Sequence, residues 1–165
     1  MFLDRDGVIN KVVMRDGFPG SPRALEEVQL VDDAQSALQI MRKMGFLIII
    51  VTNQPELSRG LLNINDLDKI HHFIRQNLPV DDIFVCPHDK RDECVCRKPK
   101  SGMLLAAAQK WKIDLRKSFM IGDRLKDVEA GERAGCCPIL IDAPYNKDTH
   151  CRYRVDHLTD AVRLL

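Results

Sequence analysis

The sequence predicts an α/β fold in which helices cover both faces of a mostly parallel sheet. Short apolar runs alternate along the chain with stretches in which apolar residues recur at helical spacing. The clearest strand is the apolar run Phe46–Val51, whose lack of alternation indicates burial on both faces. Because strands that alternate with helices form βαβ units, we expect a doubly wound, Rossmann-like sheet.

The other elements follow from the same two patterns. Further strands are predicted at Phe2-Leu3, Ile83–Val85, Phe119–Ile121 and Pro138–Ile141. Helices are predicted at Ala34–Met44 before Gly45, at about 67–78 after a cap at Asn65 or Asp66, and at about 101–111, 125–134 and 157–165. The segments Arg15–Pro22 and Ala143–Arg152 are expected to be surface loops.

Composition narrows the class of protein. The chain has 165 residues, 45% of them hydrophobic and 30% charged, and we expect one domain over residues 1–165. A formal net charge of +1 gives no reason to expect a nucleic-acid or membrane partner. The N-terminus shows no secretory signal, and Met1 lies three residues before Asp4, so the first strand is expected to be short. We therefore expect a cytoplasmic monomer whose six cysteines are free or metal-bound.

Residues that can carry chemistry follow four of the predicted strands. Since the carboxyl ends of parallel strands meet at one edge of a sheet, these residues should converge there. They are Asp4, Asp6 and Gly7 after the first strand, Thr52, Asn53 and Gln54 after the second, Arg97 and Lys98 after the third, and Asp123 and Asp127 after the fourth.

Such a group of carboxylates points to phosphoryl chemistry on a metal. Carboxylates that meet in one pocket repel one another and need a hard cation, for which Mg²⁺ is suited. Thr52 and Lys98 can donate to a phosphate, and an aspartate can attack phosphorus. A second carboxyl group, Asp6, can act as general acid and base, for which the neighbouring carboxylates should raise its pKa.

The stretch CPHDKRDECVC holds three cysteines and one histidine: Cys86, His88, Cys94 and Cys96. Three thiolates and an imidazole satisfy tetrahedral Zn²⁺, and a site with four protein ligands is structural. A redox pair, a disulfide and chance clustering are the alternatives, although C-x-C differs from the C-x-x-C of thioredoxin-like sites. The zinc hypothesis predicts that the loop 86–96 anchors Arg97 and Lys98 at the rim of a phosphate pocket.

Four segments resemble the motifs of haloacid dehalogenase superfamily phosphatases: FLDRDGVIN, IVTNQ, CRKPKSGM and MIGDRLKDVEAG. More narrowly, they are similar to the branch that holds heptose 1,7-bisphosphate phosphatases and histidinol-phosphatase domains. The resemblance implies that Asp4 is the nucleophile and a Mg²⁺ ligand. It implies that Asp6 is the acid/base and lends the metal its backbone carbonyl, and that Asp123 completes the metal site.

The same resemblance assigns the phosphate and substrate contacts. It implies that Thr52 and Lys98 hold the phosphoryl group, and that Asn53 and Arg97 contact the substrate. Asp127 either supports the metal or caps its helix, and Arg124 is a further candidate beside the metal site. The C-x-H…C-x-C pattern also occurs in this family, which supports zinc. The intervals between the motifs leave no room for a cap domain, so the site should be open.

The substrate is less sharply defined. The segments Ser58–Gly60 and Ser101–Ala108 are similar to the heptose branch and favour D-glycero-D-manno-heptose 1,7-bisphosphate, with loss of the 7-phosphate. The short interval between His88 and Cys94 instead favours histidinol phosphate as the alternative. A phosphorelay receiver domain is a third hypothesis. It is opposed by the DxDG motif at the first strand, since receiver domains place the acceptor aspartate on a later one.

Overall fold

The computed structural model describes all 165 residues. Its strands are β1 (Phe2–Leu3), β2 (Val13–Arg15), β3 (Phe18–Gly20), β4 (Ile49–Asn53), β5 (Asp82–Cys86), β6 (Phe119–Gly122), β7 (Cys137–Ile141) and β8 (Arg154–Val155). Its helices are α1 (Ala34–Lys43), α2 (Ile64–Asn77), α3 (Gly102–Trp111), α4 (Leu125–Ala134) and α5 (Leu158–Ala161).

Six strands form one sheet in the order β5-β4-β1-β6-β7-β8. Every neighbouring pair in this sheet is parallel, and β1 lies between β4 and β6. The carboxyl ends of β4, β1 and β6 are therefore adjacent, and all the crossovers lead back to the opposite edge. The predicted doubly wound fold is confirmed.

The two faces of the sheet hold separate halves of the core. Ile48 and Ile50 belong to a cluster of 18 buried residues that includes α1 and part of α2. Ile49 and Val51 belong to a cluster of 11 buried residues that includes α3 and part of α4. Because successive side chains of a strand point to opposite faces, β4 fills both halves at once. This explains why its sequence is apolar without alternation.

The bounds of several elements differ from the predictions, most clearly those of β4 and α2. The strand predicted at Phe46–Val51 is β4, which begins at Ile49 and continues through Thr52 to Asn53. Its pairing with β5 extends to the polar end residues, since Asn53 is aligned with Cys86. An apolar run cannot reveal where the strand ends, because the hydrogen bonds between β4 and β5 are made by backbone groups rather than by side chains.

Helix α2 begins earlier than predicted. Its cap is Asn63, whose side chain accepts a hydrogen bond of 2.9 Å from the backbone amide of Asp66. The predicted caps Asn65 and Asp66 were wrong, because they already lie inside the first turn. At the other end of the chain, α5 covers Leu158–Ala161 and continues as a 3₁₀ turn over Val162–Leu164, within the predicted helix.

The segment Arg15–Pro22, predicted as a loop, instead contains most of an antiparallel hairpin. Strands β2 and β3 pair with Val13 opposite Gly20 and Arg15 opposite Phe18. The two turn residues Asp16 and Gly17 both have positive φ, at 51° and 80°. Asp-Gly is a preferred sequence for such a two-residue turn, so the hairpin had a local signal. The two-residue strand β8 carried no comparable signal.

Candidate active site

The predicted convergence at one edge of the sheet is present in the structure. Asp4 follows β1, Thr52 lies in β4 one residue before its end, and Asp123 follows β6. Lys98 arrives from the loop after β5, and Asp127 lies in the first turn of α4. The side chains of all five residues are buried, and four of the five are ionisable, a kind of group that is rarely buried unless it is paired.

Three of these residues form a carboxylate cluster. One oxygen from each of Asp4, Asp123 and Asp127 lies within 4.8 Å of the others. The Lys98 ammonium is 2.8 Å from Oδ1 of Asp4 and 2.7 Å from Oδ1 of Asp127. It also donates to the carbonyl of Val51 across 2.7 Å. Two of the three carboxylates thus share one ammonium, which leaves the cluster with an excess of negative charge.

That excess appears in the pKa values of the cluster. Burial and the nearby Asp127 carboxylate raise the pKa of Asp4, although Lys98 opposes them. Burial, followed by the carboxylates of Asp127 and Asp4, raises the pKa of Asp123 to about 7. Oδ1 of Asp123 is buried and has no hydrogen-bond partner. A buried oxygen without a partner is costly, and a bound cation would satisfy it.

The dimensions of this cluster suit Mg²⁺. Oxygen ligands lie 2.0–2.1 Å from Mg²⁺, so ligands on opposite sides of the ion are about 4.2 Å apart. Ligand oxygens that all lie within 4.8 Å of one another fit this span. The donor set is made only of oxygen atoms, as Mg²⁺ prefers.

Two glycines make the cluster possible. Gly7 has φ of +89°, and a Cβ atom there would lie 2.3 Å from Oδ2 of Asp123. A Cβ atom at Gly122 would lie 2.1 Å from Cβ of Asp127. Any larger residue at either position would displace a carboxylate. The glycines of the DxDG and GDxxxD sequences are therefore required by close approach of the acids.

Asp127 has two contacts that settle how its carboxylate is used. Its Oδ2 accepts a hydrogen bond of 3.0 Å from the backbone amide of Arg124, at the start of α4. Its Oδ1 pairs with Lys98. Of the two alternatives raised by the sequence, the structure shows the helix cap, and Asp127 also holds the ammonium that contacts Asp4.

The Asp6 carboxylate is surrounded by hydrogen-bond donors and is not one of the three carboxylates of the cluster. Its Oδ2 accepts from Ser21 Oγ and Gln54 Nε2, each at 2.8 Å. Its Oδ1 accepts from Asn10 Nδ2 at 3.0 Å and from Arg5 Nε at 3.1 Å. Burial raises the pKa of this carboxyl, but the Arg5 cation and these hydrogen bonds outweigh it and lower the pKa to about 2. The expected upward shift was wrong, because donors surround Asp6 where neighbouring acids had been expected.

The donors around Asp6 are themselves held by buried contacts. The Arg5 side chain is fully buried and lies 3.2 Å from Nε2 of His71 on α2. Burial, followed by the Arg5 charge, lowers the pKa of His71 to about 3. His71 is therefore neutral near pH 7, and its Nε2 can accept from the guanidinium. Helix α2 in this way fixes the arginine that holds Asp6.

Residues at the end of β4 connect the site to the loop after β5. Gln54 Nε2 bridges Asp6 and Thr52 Oγ1, at 2.8 Å to each. Asn53 Oδ1 accepts from the Lys98 amide and Asn53 Nδ2 donates to the Lys98 carbonyl, both at 3.0 Å. Asn53 therefore fixes the backbone of Lys98, a role that the sequence did not suggest.

The cysteine and histidine side chains of the loop 86–96 converge as predicted. The ligand atoms of Cys86, His88, Cys94 and Cys96 all lie within 4.8 Å of one another. The Sγ atoms of Cys94 and Cys86 are 3.6 Å apart, and those of Cys96 and Cys94 are 3.4 Å apart. His88 Nδ1 is 3.7 Å from Cys86 Sγ and 3.4 Å from Cys96 Sγ.

These separations match the edges of a zinc tetrahedron. Zn–S bonds of about 2.3 Å and Zn–N bonds of about 2.0–2.1 Å imply edges of roughly 3.8 Å between sulfurs and 3.5 Å between sulfur and nitrogen. No disulfide links any of the six cysteines. The geometry fits a closed site with four ligands, and no ligand position is left for substrate.

The loop 86–96 is tied to the rim of the site. Arg97 donates to the carbonyl of His88 across 2.9 Å, and Lys100 donates to the carbonyl of Cys94 across 2.7 Å. Arg59, from the segment after β4, makes two hydrogen bonds of 2.8 and 2.9 Å to Asp89. The loop is thus fastened on both sides to residues that border the cavity.

An open, polar cavity of about 210 Å³ lies above the carboxylates. Asp4 and Asp6 form part of its lining, which is polar apart from Pro19, Gly20 and Pro55. Four cations line it as well: Arg59, Arg97, Arg124 and Lys126. The arrangement of a deep carboxylate cluster and several cations suits an anionic substrate that brings its own phosphates.

Sequence reasoning missed several residues of the site. Gln54, Ser21, Asn10 and the pair Arg5–His71 hold Asp6. Tyr145 and Asn146, in the loop after β7, both donate to Asp123. The rule that polar residues gather at the carboxyl ends of strands could have found this last pair, had it been applied to the fifth strand of the sheet. The packing of Arg5 against α2 had no sequence signal.

Comparison with known proteins identifies the family. Residues 10–135 match the model of the haloacid dehalogenase-like hydrolases. D-glycero-beta-D-manno-heptose-1,7-bisphosphate 7-phosphatase of Bordetella bronchiseptica is 34% identical over 154 residues, which are 90% of this chain and 83% of the relative. D-glycero-alpha-D-manno-heptose-1,7-bisphosphate 7-phosphatase of Photorhabdus laumondii is 37% identical over 146 residues, 81% of this chain and 76% of the relative.

A solved structure gives the same result. The D,D-heptose 1,7-bisphosphate phosphatase of B. bronchiseptica, complexed with magnesium and phosphate, superposes with a TM-score of 0.86 at 30% identity, covering 99% of this chain and 96% of that one. None of the helices of this chain is long and apolar enough to cross a membrane. The family model and the relatives agree with the motifs and the fold, and the chain belongs to the haloacid dehalogenase-like hydrolases.

Proposed function

We propose that this chain is a phosphatase that removes the 7-phosphate of D-glycero-D-manno-heptose 1,7-bisphosphate through an aspartyl-phosphate intermediate. The observation that carries the proposal is the position of Asp4, which lines the same cavity as Asp6 and four cations. The relatives named for this reaction, at 34–37% identity, support it. Alpha- and beta-specific enzymes both occur among them, so the proposal covers either anomer.

Asp4 is the proposed nucleophile. One of its carboxylate oxygens forms a bond to phosphorus, and the bond from phosphorus to the sugar oxygen breaks. Lys98, 2.8 Å from Oδ1 of Asp4, favours the ionised form of this carboxylate and offers positive charge to the phosphoryl oxygens. Thr52 Oγ1 accepts from Gln54, which leaves its own hydroxyl hydrogen free to donate to a phosphoryl oxygen.

Asp6 is the proposed acid and base. The departing sugar oxygen needs a proton, which Asp6 supplies. Asp6 then takes a proton from the water that attacks phosphorus, the bond between phosphorus and Asp4 breaks, and inorganic phosphate leaves. With a pKa of about 2 before substrate binds, Asp6 is a carboxylate. The negative charge of a bound phosphoryl group would raise that pKa and favour the protonated form.

Mg²⁺ is the proposed cofactor of this site. The carboxylates of Asp4 and Asp123 and the backbone carbonyl of Asp6 would hold it, with Asp127 in support. When bound, the ion offsets negative charge on the carboxylates and on the phosphoryl group. The buried Oδ1 of Asp123, which has no partner, is the feature of this chain that most directly supports a cation.

Zn²⁺ is proposed for the loop 86–96, where it has a structural role. We expect Cys96→Ser to lose zinc and to lower the melting temperature by about 10 °C or more, because zinc binding contributes directly to folding. Activity should fall too, since Arg97 is held by the carbonyl of His88. Metal analysis and thermal unfolding check this, with Cys137→Ser, outside the cluster, as control. Full zinc content and an unchanged melting temperature in Cys96→Ser would refute the zinc site.

The cations around the cavity favour a bisphosphate over histidinol phosphate. A second phosphate could pair with Arg59, Arg97, Arg124 or Lys126, which all line the cavity. Histidinol phosphate has no second phosphate and carries an ammonium group, which these cations would not favour. Glu56, also in the lining, is the one acid there besides Asp4 and Asp6. The short interval between His88 and Cys94 remains the feature that supports the alternative.

Phosphate release with Mg²⁺ tests the choice. Both anomers of heptose 1,7-bisphosphate, heptose 7-phosphate and histidinol phosphate would be compared at equal concentration. We expect the bisphosphate to have a kcat/KM at least about tenfold above that of the monophosphate, since one good phosphate contact provides more than about 1.4 kcal/mol. Preference for histidinol phosphate would support the alternative, and no turnover of any of the four would contradict a metabolic phosphatase.

We further propose that residues 1–165 act as one domain, as a monomer, in the cytoplasm. The two core clusters pack on opposite faces of one sheet, which supports a single unit. Six cysteines without a disulfide are typical of a reducing compartment. Gel filtration with light scattering would test the monomer, and a stable dimer would contradict it.

A further inference from the structure

The loop between β7 and β8 reaches back to Asp123. The Tyr145 hydroxyl donates to Oδ2 of Asp123 across 2.5 Å. The side-chain amide of Asn146 donates to the backbone carbonyl of Asp123 across 2.7 Å, and to that of Ile141 across 2.8 Å. Two consecutive residues of one loop therefore hold both the side chain and the backbone of the same aspartate.

This loop is built to hold its shape. Asn146 is buried, and its Oδ1 accepts from the backbone amide of Ala143 across 3.0 Å. The backbone amide of Asn146 donates to the carbonyl of Ala143 across 3.1 Å, and the backbone carbonyl of Asn146 accepts from the amide of Thr149 across 2.9 Å. Asn146 is hydrogen-bonded both to Ile141 at the end of β7 and to Asp123. The backbone of the neighbouring Tyr145 is therefore held in place.

The contacts of Asp123 divide its two carboxylate oxygens. Oδ2 accepts from Tyr145 and lies 3.7 Å from Nε of Arg124. A Cβ atom at Gly7 would lie 2.3 Å from Oδ2 and 3.0 Å from the Tyr145 hydroxyl, so these atoms pack closely against the Gly7 backbone. Oδ1 is buried and has no hydrogen-bond partner. One oxygen is thus committed to the protein, and the other is left for a ligand.

We propose that Tyr145 is a positioning residue for the metal site, which fixes the Asp123 carboxylate so that Oδ1 faces the cation. The inference rests on the proposed function, in which Asp123 is a Mg²⁺ ligand. A carboxylate held at one oxygen cannot turn about its terminal torsion, so its other oxygen is oriented before the metal arrives. Groups that hydrogen-bond to metal ligands in this way commonly change metal affinity by 10- to 100-fold.

Tyr145→Phe isolates this effect, because it removes the hydroxyl and keeps the ring. The ring remains free to pack against Arg124, whose guanidinium carbon lies 5.5 Å from the ring centroid. Tyr145 is 37% exposed, so the substitution opens no cavity in the core. The chain has one other tyrosine, Tyr153, which packs against Arg152 and makes no side-chain hydrogen bond. Tyr153→Phe is therefore the matched control.

The test measures metal binding directly, without turnover. Mn²⁺, which has the same preference for oxygen ligands, would be titrated into magnesium-free protein, and free Mn²⁺ would be followed by electron paramagnetic resonance. We expect Tyr145→Phe to raise the Kd for Mn²⁺ by about tenfold or more, and Tyr153→Phe to leave it unchanged. The melting temperature without Mn²⁺ should be unchanged in both variants, and KM for substrate at saturating Mg²⁺ should be unchanged too.

Equal Mn²⁺ affinity of Tyr145→Phe and the parent protein would overturn the inference. A matching fall in metal-free melting temperature would also overturn it, since the effect would then be structural. Asp123→Asn separates this from a failure of the proposed function. If Asp123→Asn loses Mn²⁺ while Tyr145→Phe keeps it, only the role of Tyr145 is wrong. If Asp123→Asn binds Mn²⁺ as the parent does, Asp123 is not a ligand and both proposals fail.

Discussion

Asp4→Asn should lower kcat for heptose 1,7-bisphosphate by about 10⁴-fold or more, because the amide cannot attack phosphorus. The steady-state rate of phosphate release measures this. Asp32→Asn, a surface aspartate paired with Lys11 at 3.0 Å, is the matched control and should keep full activity. A variant at Asp4 that retained more than about a tenth of the parent rate would contradict the assignment of the nucleophile.

The fold should survive the loss of Asp4. Its pKa is raised by burial and by Asp127, so its charge is unfavourable in the metal-free protein. The asparagine removes that charge and keeps the shape of the side chain. Lys98 retains its ion pair with Asp127 at 2.7 Å. We therefore expect a metal-free melting temperature close to that of the parent, which separates lost chemistry from lost structure.

Lys98→Met should have the largest combined effect on activity and stability. The Lys98 ammonium is buried between Asp4 and Asp127, and its removal leaves the carboxylate cluster without internal positive charge. Breaking a buried ion pair by removing one partner costs about 3–5 kcal/mol. Loss of a donor to the phosphoryl group should lower kcat by a further 10²–10³-fold, roughly. Denaturant unfolding and phosphate release measure the two effects.

A second metal experiment follows from the same charges. Since Mg²⁺ supplies positive charge to the cluster, it should raise the melting temperature of Lys98→Met more than that of the parent. Lys110→Met is the matched control, because Lys110 pairs with Asp82 at 2.6 Å on the exposed surface. Exposed pairs contribute about 0–1 kcal/mol, so this control should be nearly neutral. Equal destabilisation by Lys98→Met and Lys110→Met would contradict the claim that the buried ion pairs of Lys98 stabilise the fold.

Much of the site could be predicted from local patterns. Asp4, Thr52 and Asp123 each follow a short apolar run, and the topology of parallel strands brings such positions to one edge. Cys86, His88, Cys94 and Cys96 are close in sequence, so a metal site required little knowledge of the fold. In both cases, backbone connectivity alone fixed which residues would meet.

The direction of individual side chains could not be predicted. Whether Asp6 faces other acids or a set of donors depends on Arg5, on Ser21 after the hairpin, and on Gln54 at the far end of β4. Tyr145 contacts Asp123 only because Asn146 fixes the loop. Apart from the contact between the neighbours Arg5 and Asp6, these contacts join residues far apart in the chain, and none leaves a periodic or compositional mark. The electrostatic state of Asp6 was accordingly a point of the active site on which sequence reasoning was wrong.

The most direct test of the account is to trap the covalent intermediate. The enzyme would be mixed with heptose 1,7-bisphosphate and Mg²⁺, quenched in acid within the first turnover, reduced with borohydride and digested for mass spectrometry. We expect reduction to mark Asp4 alone, and Asp6→Asn to increase the yield, because water attacks the intermediate slowly without the base. A mark on any other residue, or turnover with no mark in either protein, would contradict Asp4 as the nucleophile.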